Sequence, residues 1–118
     1  MKTELQKRLV SFAVKSIMTS KFIPSDFAIR HLYGQMVRSS TSSALNYGEA
    51  QTAETRKDFI HKLGIVLKEL KETEINLQMI IQTGLCEENS HFKENLRECQ
   101  ELIAIFTATI KTAKSKVR

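Results

Sequence analysis

The stretch RKDFIHKLGIVLKELKETEINLQMIIQ, residues 56–82, decides the fold. Within it Phe59, Leu63, Val66, Leu70, Thr73, Leu77 and Ile80 recur at alternating intervals of four and three. That period is the seam of a helix packed nearly antiparallel to its neighbours. The preceding helix, which includes RSSTSSALNYGEAQ (residues 38–51), carries a matching stripe of Ile29, Tyr33, Met36, Ser40, Ser43, Tyr47 and Ala50. This stripe is large at its ends and small in its middle. Small side chains let two backbones approach, and their hydroxyls can return hydrogen bonds to carbonyls of their own helix. The serine run therefore reads as tight packing. A nucleophilic serine would need a base held beside it, and none of the three histidines is placed by the sequence to serve.

Outward from this pair the same logic gives four helices, at about 3–18, 26–51, 56–83 and 89–113. The fold class is all-α, an up-and-down antiparallel four-helix bundle in a single domain, residues 1–118. In helix one Leu5, Leu9, Phe12 and Ser16 form the seam, widened by Val10, Ala13 and Ile17. Phe22 and Ile23 fold under the bundle. Ser25 is the expected N-cap of helix two, and Thr55 with Asp58 opens helix three as a capping box. Gly34 and Gly48 read as packing glycines, and Gly84 as a left-handed C-cap. Helix four offers Phe92, Leu96, Cys99, Ile103, Phe106, Ile110 and Ala113, widened by Leu102 and Ile105, and its basic end frays past Ala113. Leu63, Val66, Leu70, Leu77, Leu96, Ile103 and Phe106 are the expected core.

A hydrophobic content of 42%, with one Pro and four Gly, argues against β structure and disorder. Cys86 and Cys99 show neither metal nor redox spacing and are expected reduced, with Cys99 in the core. Leu9 to Val14 is too short for a signal-peptide core or a membrane span, so the expected compartment is the cytoplasm. His31, His61 and His91 lie on different helices or their ends without ligands at helical spacing, so no metal or cofactor is implied. Glu69, Glu72 and Glu74 alternate with Lys68 and Lys71 and read as a salt-bridged face, not a general acid/base pair. No catalytic residue emerges.

Pairing across a turn near Thr52 to Thr55 sets Arg38 level with Glu69, Ser43 with Ile65, Asn46 with His61 or Lys62, and Glu49 with Asp58 or Lys57. Arg38 should pair with Glu69 or Glu72, and Asn46 and Glu49 should partner the first turns of helix three. The net charge of +5 is uneven: residues 1–48 carry +5, residues 49–101 carry −4 and residues 102–118 carry +4. An up-and-down bundle gathers Lys2, Lys7, Arg8, Arg56, Lys57, Lys111, Lys114, Lys116 and Arg118 at one pole, with Asp26, Glu87 and Glu88 at the other. A cationic pole suits phosphate, which makes these nine residues the candidate nucleic-acid contacts.

Arg38-Ser-Ser-Thr-Ser, Asn46 with Glu49 and Ala50, Ala53, Asp58-Phe59-Ile60 with Lys62, Leu63 and Ile65, Lys68-Glu69, Glu72-Thr73 and Leu77 together resemble a known pattern. The chain is similar to the bacterial four-helix-bundle proteins encoded in intervening sequences of 23S ribosomal RNA genes, a ribosomal-protein-like family. The resemblance spans essentially the whole chain and is densest from Gln35 to Leu77. It departs at Asn76, where such proteins commonly carry an aromatic, often Trp. The resemblance implies a non-enzymatic bundle, a structured RNA partner, ribosomal RNA included, and a homo-oligomer, in the form of a pentameric ring. Ile65, Ile75 and Met79, turned outward on helix three, are the candidate subunit interface. A second reading stays open: a protein-interaction adaptor similar to accessory subunits of retroelement reverse transcriptases.

Overall fold

Local chemistry sets the helix boundaries. The computed structural model describes residues 2–116, with side chains from Glu4 onward. Its order is α1 (Lys2–Met18), a 3-10 turn (Thr19–Phe22), α2 (Phe27–Gln51), α3 (Arg56–Thr83) and α4 (Ser90–Ser115), and no strand occurs among the described residues. Thr55 caps α3, its hydroxyl accepting from the Asp58 amide at 3.0 Å. Gly84 ends that helix at φ +66°, a left-handed turn that glycine adopts without strain. The cap of α2 is Asp26 and not Ser25, because the Asp26 carboxylate accepts from the Ile29 amide at 3.0 Å. An anion there also meets the positive end of the helix dipole. At α4 the Glu88 carboxylate accepts from the Ser90 amide at 2.8 Å, a bond that holds its carboxyl below the usual range. Helix α4 continues to Ser115 and so keeps Lys114 helical past the expected fraying point.

The helices form an up-and-down bundle measuring 50 × 22 × 20 Å. Contact is most extensive between α2 and α3, α4 packs on α3, and α1 packs chiefly on α2 while meeting α4 sparsely. Leu9, Phe12, Met36, Leu63, Leu70 and Phe106 are among the residues that fill the core. Tyr47 meets the Phe106 ring edge-on at 5.4 Å. Cys99 is also in the core, where burial pushes its thiol up to about 12 and Sγ donates to the Leu70 carbonyl. Phe22 and Ile23 pack against the core from below α1, as expected.

Three expectations need correction. Leu96 and Ile103 are only partly buried, whereas Leu102 is wholly buried. The inward line of α4 runs Phe92, Asn95, Cys99, Leu102, Phe106. A count of apolar residues skips the buried amide of Asn95, moves to Leu96 and arrives one position off at Ile103. In α1, Val10 and Ile17 are exposed, because that helix is embraced on one side by α2 and left open on the other. Gly34 and Gly48 are not packing glycines either. A methyl group at Gly34 would meet nothing within 4 Å, and one at Gly48 would make an ordinary 3.6 Å contact with Gln6.

The rotated seam of α4 has a direct test. Leu102→Ala should destabilise the protein by about 2–5 kcal/mol in urea unfolding, clearly more than Ile103→Ala, and equal losses would return the seam to Ile103.

Candidate nucleic-acid interface

Two polar surfaces stand out, and they differ in whether their charges are already paired. The first covers the α2/α3 contact. There Ser39 and Thr73 share a 2.6 Å hydrogen bond across the helices, while Ser40 and Ser43 donate back to the carbonyls of Val37 and Ser40. Arg38 reaches both expected carboxylates, Glu72 at 2.8 Å and Glu69 at 3.2 Å. The hydrogen bond that Arg38 donates to Glu69, then the charge of that carboxylate, holds the Arg38 guanidinium above its ordinary value. Glu49 pairs with Lys62 at 2.7 Å, not with Asp58 or Lys57. Asn46 leaves helix three alone and donates to Ser42, to its carbonyl at 2.9 Å and its hydroxyl at 3.0 Å. Asp58 and Lys68 are exposed. Asn76, where the family aromatic was expected, is buried; its amide donates to the Glu72 carbonyl at 3.1 Å and its Oδ1 has no partner.

The second surface is the end of the bundle where α1 begins, α2 turns into α3 and α4 finishes. Gln6 ties the start of α1 to α2 there, donating to the Ala44 carbonyl at 3.1 Å and accepting from Gln51 at 2.6 Å. Lys7, Arg56, Lys57, Lys111, Lys114 and Lys116 are exposed. Among the described residues, ion pairs engage Arg8, Arg38 and Lys62, and these six cations enter none. Arg56 lies over the ring of Phe59, 5.7 Å from its centre. The side chain of Lys2, and Arg118, lie outside the described residues.

Arg8 is placed differently from these six candidates. It bridges a groove of about 1070 Å³ between α1 and α4, 2.9 Å from Glu98 and 2.9 Å from Glu101. Those carboxylates raise its guanidinium, the hydrogen bond to Glu98 contributing most. Its charge is therefore shared before any ligand arrives. Sequence reasoning missed this pair, since the partners lie 90 residues apart on helices whose relative register no turn fixes. The groove also exposes Lys15 and Arg97, which the charge count alone did not single out.

Among the described residues no group of three or more His, Cys, Asp or Glu could hold a metal ion. None of the helices is long and apolar enough to cross a membrane.

The bundle thus belongs to a class of all-helical proteins with an internally paired polar face and an unpaired cationic end. Specifically, the chain belongs to the 23S rRNA-intervening sequence protein family, which it matches over residues 1–108. It is also similar to a crystal structure from Bacteroides thetaiotaomicron VPI-5482, described as a protein with unknown function from the S23 ribosomal protein family. The two share 31% identity with a TM-score of 0.80, over 90% of this chain and 97% of that one. None of the curated proteins matches the chain. The resemblance read from the α2/α3 residues and the four-helix architecture both stand.

Arg38 is well exposed, so the Coulomb part of its pairs contributes at most about 1 kcal/mol. Glu69, however, is only 8% exposed and would be left without its cation. Arg38→Ala should therefore lower the urea midpoint more than Lys71→Ala, which removes an exposed, unpaired charge. Equal midpoints would discount the pair.

Proposed function

We propose that the chain is a non-enzymatic, single-domain protein that holds structured RNA mainly by its phosphates, through the basic pole and as a homo-oligomer. The observation that carries the reading is a concentration of unpaired cations at one end of a bundle whose other arginines and lysines are partly tied to carboxylates. Arg56 and Lys57 occupy the first turn of α3, where the helix dipole disfavours positive charge. An anionic partner would turn that local cost into a gain. Lys114 in the last turn of α4 is favourable even without a ligand, so the α3 pair argues more strongly for a partner. Membership of a family described by its place in ribosomal RNA genes agrees with an RNA partner and with work in the bacterial cytoplasm.

Ile75 and Met79 are exposed on α3, and Ile65, ten residues earlier on the same helix, is half-buried. They offer a stripe for a second copy, and a closed ring, five-membered as the resemblance implies, would repeat the basic pole around an axis and multiply weak phosphate contacts into avidity. The protein-adaptor reading draws its support from a different face. Val10, Val14, Ile17 and Met18 expose an apolar line along α1, which suits a protein partner better than a phosphate backbone.

Replacing Lys111, Lys114, Lys116 and Arg118 with Gln leaves the core intact and should weaken binding to structured RNA. Every phosphate that the variant no longer neutralises should also flatten the plot of log K against log salt, by about 0.7 on a single strand and about 0.9 on B-form duplex DNA. Replacing Lys21 and Lys93 should change little. A tail variant that binds like the parent at every salt concentration would reject the basic pole and favour the adaptor. Light scattering at tens of micromolar should find an oligomer, and a monomer there would reject the ring.

A further inference from the structure

Three openings at the basic end share one aromatic side chain. Phe59, half-buried in the first turn of α3, borders the α1/α4 groove, a recess along the α2–α3 turn and a cleft of about 320 Å³ against the end of α4. That cleft combines the Phe59 ring and the methyls of Ala108 and Ala113 with the hydroxyls of Thr109 and Thr112. Arg56 and Lys116 complete it with two charges. Arg56 sits within cation–π distance of the ring, so a planar guanidinium and an aromatic surface meet at its edge. The Thr109 hydroxyl already donates to the Ile105 carbonyl at 2.8 Å, which leaves its lone pairs for a donor on an incoming group.

An apolar wall, hydroxyl edges and two cations fit one chemical class, a nucleobase that carries its phosphate. An aliphatic side chain would leave the cations unmatched, and a bare phosphate would leave the ring unused. The volume falls at the small end of ligand pockets, which run from roughly 300 to 1000 Å³. Beyond Phe59 the lining of the α1/α4 groove mixes acids with cations, and Glu98 and Glu101 already share Arg8, so it offers a phosphate chain less net positive charge than the pole.

We propose that this cleft takes one unpaired nucleotide of a bound RNA, its base against Phe59 and its phosphate on Arg56 and Lys116. The inference rests on the RNA reading above and adds to it a preference for unpaired bases. Thr109, Thr112 and Lys116 lie beyond residue 108, where the family match stops.

The test compares a short fluorescent single-stranded oligoribonucleotide with an abasic strand of the same length and charge, by anisotropy at one salt concentration. Stacking on one aromatic ring should make the parent bind the base-bearing strand roughly five-fold or more tightly than the abasic strand. Phe59→Leu should remove that ratio while leaving abasic affinity unchanged. Ala108→Met, at an exposed position that fills the cleft without disturbing the core, should do the same and decides the matter if Phe59→Leu unfolds. Lys111→Gln, outside the cleft, should weaken both strands alike and preserve the ratio. Equal affinity of the parent for the two strands, or a weakening in Ala108→Met that falls equally on both, overturns the nucleotide cleft while the basic pole stands. Failure of the parent to bind either strand or structured RNA at low salt overturns both.

Discussion

Two helices that meet through serine must satisfy every hydroxyl they bury, since an unbonded one costs about 1–3 kcal/mol. The α2/α3 contact meets that condition twice over. Ser40 and Ser43 are closed within α2, and Ser39 spans to Thr73, which itself donates to the Glu69 carbonyl at 2.8 Å. With the hydroxyls spent, the helices pair along most of their length, and the apolar seam of α3 is presented to α4 in one register. The remainder of the core, from Leu63 to Phe106, is assembled on that pair.

The same contact divides the surface charges into two populations. Arg38, Glu69 and Glu72 close over the small residues from outside, and Lys62 with Glu49 does so nearer the turn. Charges used in this way hold register and have little left for a ligand. The cations at the end of the bundle carry no such obligation. Among the described residues, unpaired cations also occur along the sides, at Lys71 and Arg97 among others, but six of them gather at the pole, and the proposed RNA contact there would be end-on.

Local rules were legible in the sequence. The period of α3, the Thr55 cap, the Gly84 turn and the Arg38 pairing each depend on residues close in sequence or linked by one short turn, so spacing alone locates them. What escaped depended on competition or on distance. Ser25 and Asp26 both cap helices well, and only geometry chooses the carboxylate. Asn95 occupies a core position that a hydrophobicity count assigns to Leu96. Asn46 had an acceptor one turn away in Ser42 and so never reached α3. Arg8 and Glu98 come together because α1 closes the bundle, which no local pattern records. At the pole, the charge count picked out Lys7, Arg56, Lys57, Lys111, Lys114 and Lys116, which are exposed, but gave no hint that Arg8 is already paired or that Phe59 is reached from several sides.

Helix α1 is attached unevenly. It leans on α2, joined there by the bond from the Tyr33 hydroxyl to the Ile17 carbonyl at 2.7 Å and by Gln6, whereas its link to α4 is the Arg8 fork over a wide groove. A segment held by one firm edge and one ionic clasp is the part of a bundle that detaches first while the rest remains folded. The backbone amides of α1 should thus exchange with solvent through openings smaller than global unfolding, and faster still when salt screens the clasp. The three-helix remainder would survive such an opening with its serine contact sealed, and the α1 flank of the pole would be the part of the molecule with freedom to adjust its shape.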